Sequence, residues 1–424
     1  MRVVFFEDNQ ATQFAPIALM RPVFELMCGC FSLRERVLLS EKPDAWGALV
    51  RTELKHVYKE EHPTAIVNDP IGMQSGDTLL INGRWLPTPG ELGAATSDNV
   101  GLIAGQVAWL KIDSTEALLL EEDNWNDVIG QIAQSRTEKV PASGVMLERP
   151  WDLITHNPAQ LTTDFENNFA PEAGLPDHVV VLGDAAKVSI HQSAEIDPYV
   201  VLDARTGPIR IEAGVKIQSF TRIEGPCFIG ERTQLFRALI REGTTIGPVC
   251  RVGGEIEECI FQGYSNKYHE GFLGHSYVCP WVNIGAMSTT SDLKSDYSNV
   301  KVPLEGTPID SGSPKVGSFI GDHVKTAINS MFNTGSSIGV MAMVLPGGPL
   351  LPKFIPSFSM IWFGEVRESW DIQRSLETAE VAMGRRDCEF TRAQADLIRF
   401  LHNKTASNRA SAVERAALKA SAKQ

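Results

Sequence analysis

Aliphatic residues recur every six positions through the middle of the chain. They fall at Ile190, Ile196 and Leu202, then at Ile211, Ile217, Ile223, Ile229 and Leu235, then at Ile246 and Val252, and later at Val278 and Ile284. A glycine or a small or acidic residue often follows, as in IGER, IGPV, VGGE, IGAM, IGDH and IGVM. Strands of a β-sandwich alternate with period two and turn about every 8–12 residues, so five consecutive aliphatics at a strict six do not arise that way. The spacing predicts a parallel β-helix of hexapeptide repeats, triangular and left-handed, over residues 179–360. Each aliphatic side chain points inward and stacks on the coils above and below.

Residues 1–145 follow a different pattern. RVVFF, TAIVND and DTLLING read as short buried strands, and SLRERVLL opens a helix on a Ser32/Glu35 capping box. Strands alternating with helical stretches predict an α/β domain with a mostly parallel sheet. Residues 146–178, with ERPWDLITHNPAQLTTDF, read as a helical linker. In the tail, 361–424, Ile372, Leu376, Ala379 and Met383 share one helical face. A Thr391/Gln394 capping box starts a second helix with Leu397 and Leu401 on one side. Beyond 405 the Ala-, Ser-, Lys- and Arg-rich sequence predicts a frayed helix with a solvated basic face.

A chain of 424 residues exceeds one ordinary core. Its net charge of −13 argues against a nucleic-acid partner, because phosphate backbones need clustered Lys and Arg. Seven cysteines without a CxxC pair read as the reduced thiols of a cytosolic protein. MRVVFFEDNQ turns acidic too early for a signal peptide. The most apolar stretch, VMAMVLPGGPLLPKFIPSFSMIWF, is interrupted by Pro346, Pro349, Pro352 and Pro356 and cannot form a continuous membrane helix. The expectation is a cytoplasmic protein without a membrane partner.

The hexads lose their aliphatics in GYSNKYHEGFLGHSYVCPWVNIG, residues 263–285. Tyr264, Asn266, His269, Glu270 and His275 concentrate polar groups where Ile or Val is wanted, which predicts an insertion in the coil. Histidine is the side chain suited to proton transfer near neutral pH. A lone loop histidine is more often incidental than chemical, so its neighbours decide.

Those neighbours carry a resemblance. HEGFLG resembles the H-x-x-[YF]-L-G element of glucosamine-1-phosphate N-acetyltransferases, the C-terminal half of the bifunctional enzymes that make UDP-N-acetylglucosamine. VNIGA follows at the family's distance from the histidine, and LIREGTTIGPVCRVGG resembles its R-P-G…IG…VG run. GYSNKYHEGFLG…NIGA…YSNVKV is similar to a divergent branch with an atypical sugar-nucleotidyltransferase-like N-terminal domain. The likeness runs over about 180–350, and in the first 150 residues it rests on LMRPVFEL and LLING. It implies acetyl-CoA-dependent N-acetylation of an amino-sugar 1-phosphate, coupled to nucleotidyl transfer from UTP, in a homotrimer. Carried across, His269 is the general base, Asn283 positions the amino sugar, Arg241 binds the sugar phosphate, and Ala286 lies where acetyl-CoA approaches the backbone. Three substrate-side positions depart from the family: Phe272 stands for its Tyr, Glu257 or Glu258 for its phosphate-side Lys, and Asp292 for its Asn.

Sugar-nucleotide pyrophosphorylases open with a Gly-rich loop whose backbone N–H groups hold the triphosphate. Here EDNQATQFAPIALMRP has no glycine, and LLINGRWLP offers Asn82 where a metal-binding carboxylate is expected. The branch's RP-x-x-EL element, here Arg21, Pro22 and Glu25, implies Arg21 and Asn82 at the nucleotide and Asp8 on Mg²⁺. A structural Arg21–Glu25 ion pair is the competing reading. Three other functions stay open: a nucleotidyltransferase whose β-helix only oligomerises, a non-catalytic sugar-nucleotide scaffold, and a zinc enzyme built on His269, His275 and His323.

Overall fold

The computed structural model describes residues 2–73, 76–121, 124–169, 174, 176–345 and 350–421. Its first half is a seven-stranded sheet of β1 (Arg2–Phe6), β2 (Ala45–Leu49), β3 (Ile66–Val67), β4 (Thr78–Asn82), β5 (Asn99–Ile103), β6 (Gln106–Ile112) and β7 (Glu138–Pro141). The spatial order is β7-β5-β6-β4-β1-β2-β3. β1 runs parallel to both β2 and β4, while β6 is antiparallel to β4 and β5. Val4, Phe5, Leu80 and Ile81 are fully buried, because central parallel strands are covered on both faces and read as unbroken apolar runs. Helix α1 (Leu33–Glu41) starts on the reciprocal Ser32–Glu35 capping box.

The second half is a left-handed parallel β-helix with three faces. The first face begins with Val188–Ile190 and ends with Phe354–Ile355; the second includes Lys216–Ile217 and Asn266–Lys267; the third includes Arg222–Glu224 and Phe272–Gly274. Ile211, Ile217, Ile223, Ile229 and Leu235 are at most 2% exposed and belong to one apolar column. Ile211 stacks on Ile229 and Ile229 on Ile246, while Ile217 stacks on Leu235, so three hexads make one coil.

The expected insertion at 263–285 is absent. Phe261, Lys267, Leu273, Val278 and Ile284 fill consecutive inward slots, and the lysine is only 2% exposed. Asn266–Lys267 and Phe272–Gly274 both pair in register with the strand Arg251–Glu257. The coil therefore continues, and only the apolarity of one slot changes. The actual excursion comes later. Residues 291–317 leave the coil after Thr289–Thr290, form the antiparallel hairpin Lys301–Leu304/Thr307–Asp310, and return at Ser318–Ile320.

The stretch expected as a linker contains helix α2 (Pro150–Asn168), wedged between the two halves. Asn157, fully buried, donates to Gly243 O at 2.8 Å and accepts from Gly29 N at 2.6 Å. Three helices follow the coil: α3 (Ile372–Gly384), α4 (Arg392–Lys404) and α5 (Ala406–Ser421). Leu397, Ile398 and Leu401 of α4 join the core of the N-terminal sheet. Helix α5 is not the frayed, solvated segment expected from its composition. Ala412, Val413 and Ala416 pack against the β-helix core, and Arg409, 7% exposed, donates to Thr405. All seven cysteines are free, and among the described residues no helix is long and apolar enough to cross a membrane.

Candidate active site

His269 stands exposed on the corner where the second face of the coil turns into the third, just after Asn266–Lys267. Its ring meets that of Tyr268 edge-on at 4.7 Å. Asn266 pairs with Asn283 in the next coil, and Met287 N donates to Glu270 O at 2.9 Å, so Ala286 occupies the same corner one coil away. Ala286 O accepts from Asn329 N at 2.8 Å, whereas its N–H finds no acceptor among the described residues. On the other side the corner is Gly253–Gly254. A Cβ on Gly253 would lie 2.1 Å from Tyr268 O, and Gly254 has φ +74°, so glycine is required at both. The imidazole thus rises from a corner floored on one side by glycine, with Tyr268 beside it and a backbone donor one coil away.

The group that holds this corner was not visible as a site residue in the sequence. Lys267 fills an aliphatic slot with its four-carbon stem, a use open to lysine because its stem is apolar. Its Nζ donates to Gly253 O and to His269 O, both at 3.0 Å, tying the histidine's own backbone to the neighbouring coil. Burial lowers its pKa to about 8, against the opposing pull of Glu270 and Cys259. Below about pH 8 native and unfolded chains both carry the proton, and the full cost of burying the ammonium is present. Between about 8 and the unfolded value of 10.5 only the unfolded chain keeps it, so stability rises with pH. The rise from Lys267 is about 3 kcal/mol. Lys325, likewise lowered to about 8 by burial, adds a parallel rise. Urea unfolding at pH 7.5 and pH 10 of the native chain and of Lys267→Met isolates the first contribution. The variant is expected to lose that part of the rise, and equal rises would remove the buried charge from the account.

The third face carries Arg241, Phe272 and the two glutamates at the family's lysine position, and Asp292 lies against it from the start of the excursion. Arg241 Nε donates to Glu224 at 2.9 Å, with Glu242 and Glu255 each 3.6 Å from the guanidinium. Phe272 lies beside Glu255 in register. The Phe272 ring and the Asp292 carboxylate converge over Gly274, where a Cβ would meet both at 2.5 Å. Asp292 accepts from His275 Nδ1 at 2.8 Å, and although burial raises its pKa, that hydrogen bond and charge hold it below the usual carboxylate range. Glu257 accepts from Lys315 at 3.2 Å, and Glu258 lies 3.5 Å from His275 Nε2. Carboxylates therefore surround the arginine expected to take a phosphate.

Asn283 is on the second face. It accepts from Asn266 at 2.6 Å and lines a cavity of about 280 Å³ closed by α3. The structure thus brings His269 and Ala286 to one corner, puts Arg241, Phe272 and Asp292 on one side of it, and leaves Asn283 on the other. The three-imidazole zinc set does not assemble. His323 is buried against Trp281, and among the described residues His275 comes within ligand distance of Glu257 and Glu258 instead.

In the N-terminal half, Asp8 and Asn82 sit past the carboxyl ends of β1 and β4, where open α/β sheets bind ligands. The residue that organises them is Arg84, 1% exposed. It donates from Nε to Asp8 Oδ1 at 2.8 Å and from Nη2 to Asp8 Oδ2 at 2.5 Å. Gln10 N and Asn82 Nδ2 each add a hydrogen bond to Asp8 at 3.0 Å. Two bonds on each oxygen fill the four lone-pair positions of the carboxylate, so Asp8 as arranged does not fit the expected Mg²⁺. Arg21 also departs from expectation. It pairs with Asp322 of the β-helix through both terminal nitrogens and donates to Ile17 O, so both ends of its fork are already engaged within the protein. Glu25 pairs with Arg34 and accepts from Tyr58, so the Arg21–Glu25 ion pair does not form either.

Comparison with known proteins adds to this geometry. A sugar nucleotidyl transferase family model matches residues 3–169. A bifunctional sugar-1-phosphate nucleotidylyltransferase/acetyltransferase of Sulfurisphaera tokodaii is 35% identical over 333 residues, which cover 76% of this chain and 70% of that protein. The bifunctional protein GlmU of Methylibium petroleiphilum is 24% identical over 303 residues, covering 68% of this chain and 57% of that protein. Among solved structures, a UDP-N-acetylglucosamine acyltransferase from Campylobacter jejuni aligns with 50% of this chain and 95% of its own, at 12% identity and a TM-score of 0.19.

Proposed function

The chain belongs to the family of bifunctional sugar-1-phosphate nucleotidylyltransferase/acetyltransferases, and from that premise we propose that its β-helix transfers the acetyl group of acetyl-CoA to the amine of an amino-sugar 1-phosphate such as glucosamine 1-phosphate. The observation that carries this reading is the exposed His269 on the corner beside Gly253–Gly254, one coil from the Ala286 N–H, which has no acceptor among the described residues. The amine arrives as an ammonium. His269 accepts one of its protons, and the nitrogen lone pair attacks the thioester carbonyl. The carbonyl oxygen gains negative charge and accepts a hydrogen bond from the Ala286 N–H. The carbon–sulfur bond then breaks, the attacking nitrogen gives up its second surplus proton, which goes to the leaving thiolate, and the amide remains while His269 returns the first proton to water.

Arg241 and Asn283 lie on opposite sides of the corner, so one chain does not offer both to one sugar. A second copy supplying one of them would complete the site, and a cyclic homotrimer closes such an arrangement. The N-terminal half would then transfer the uridylyl group of UTP to the phosphate of the N-acetyl sugar 1-phosphate, with pyrophosphate leaving, past the carboxyl ends of β1 and β4, in the cytoplasm. No metal-dependent step is assigned to Asp8.

The test follows two products from the full chain. Thiol release is measured with acetyl-CoA and a panel of amino-sugar phosphates, and pyrophosphate release with UTP and the matching N-acetyl sugar phosphates. Thiol release with at least one amino-sugar phosphate is expected. Pyrophosphate release without any thiol release would overturn the acetyl-transfer reading in favour of a nucleotidyltransferase whose β-helix only assembles it, a reading that the acidic surroundings of Arg241 favour.

A further inference from the structure

We infer that the cavity between α3 and the second face of the coil is a phosphate-binding site. Arg251 enters it from the coil, Arg385 and Arg386 from the end of α3, and Lys325 from the floor, with Tyr264 and Trp281 as an aromatic wall. Among the described residues, none of the three arginines has a carboxylate partner. In a chain with 52 acidic and 39 basic residues, three convergent guanidinium groups without an acid need a reason. Cations at a helix C-terminus complement its dipole, which accounts for Arg385 and Arg386 but not for Arg251, a residue of the coil. Arg386 Nε is buried without a hydrogen-bond partner. Burial and the charges of Arg251 and Arg385 hold its pKa below the ordinary arginine value, so like charges converge there uncompensated. Guanidinium forks match phosphate oxygens in charge and geometry, and a dianion in this cavity of about 280 Å³ removes both penalties at once.

The contrast with the third face strengthens the assignment. Arg241, the arginine that sequence reasoning gives to a phosphate, is already surrounded by Glu224, Glu242 and Glu255. The arginines beside Asn283 are not. Two ligands of the proposed reaction carry a phosphate monoester: the 3′-phosphate of acetyl-CoA and the sugar 1-phosphate. The inference rests on the acetyl-transfer reading only for the identity of these ligands.

Isothermal titration of the full chain with adenosine 3′,5′-bisphosphate, and separately with glucosamine 1-phosphate, tests the site without turnover. Arg251→Gln on the coil and Arg386→Gln beyond the helix are each expected to weaken one of these probes by about tenfold to a hundredfold. The acetyl-transfer kcat should stay unchanged while KM for the matching substrate rises. Weakening of the bisphosphate assigns the cavity to the cosubstrate, and weakening of the sugar phosphate assigns it to the acceptor. If the native chain binds neither probe, or if both variants bind both probes as tightly as it does, the proposal falls. Should one variant lose its unfolding midpoint, the other, on a different element, decides. Absence of thiol release would sink the acetyl-transfer reading and leave these binding results standing.

Discussion

Replacing His269 by alanine is expected to lower acetyl transfer by roughly 10²- to 10⁴-fold, the usual worth of a positioned general base. The side chain is exposed and makes only an edge contact with Tyr268. Substitutions of that kind leave stability within about 0.5 kcal/mol, so the unfolding midpoint should hardly move. The loss should fall on kcat, because removing the proton acceptor leaves the cavity beside Asn283 and the corner backbone in place. Thiol release at the native rate from the alanine variant would take His269 out of the mechanism.

Asp322→Ala is expected to cost about 3–5 kcal/mol of stability, the range for removing one partner of a buried pair. Asp322 is 1% exposed and spends both carboxylate oxygens on Arg21, itself 13% exposed. Its loss leaves a guanidinium out of water with Ile17 O as its remaining acceptor. The double variant Arg21→Met/Asp322→Leu removes both charges and is expected to recover most of the loss, because apolar replacements of such pairs are often neutral. Denaturant unfolding measures both. A loss under about 1 kcal/mol from Asp322→Ala would mean that Arg21 is free to serve a ligand instead.

How far the sequence could be read depended on the range of the interaction. The hexads from Ile190 to Val252 and the capping boxes at Ser32 and Thr391 were legible, because each is fixed by residues within a few positions of one another. The apparent break at 263–285 was misjudged because the slot was read by residue type. Phe261, Lys267 and Leu273 keep the six-residue step, and position alone would have placed the lysine inside. His269 is legible through its local motif, whereas its support, Lys267, carries no local signal of a role at the corner. In the N-terminal half Asp8 and Asn82 were singled out, but Arg84, which binds Asn82 two residues away and Asp8 76 residues away, was not. The Arg21–Asp322 pair spans 301 residues and leaves no local trace. Helix α5 was misread because alanines that pack on a coil and alanines that face water look alike in a composition.

One hydrophobic cluster contains Phe14, Ile17 and Leu26 from the first half together with Phe228, Ile260, Tyr277 and Phe319 from the coil. Tyr277 OH accepts from Met27 N at 3.0 Å, and Gln262 donates to Glu25 O at 2.7 Å across the same boundary. The two halves therefore share an interior instead of meeting at a surface. Neither can come apart without exposing apolar area of the other, so they should melt as one cooperative unit. A nucleotide held by the sheet would then lend its binding free energy to the coil by mass action, and the corner proposed for acetyl transfer would be sturdier whenever the other half is occupied, with no change of shape anywhere.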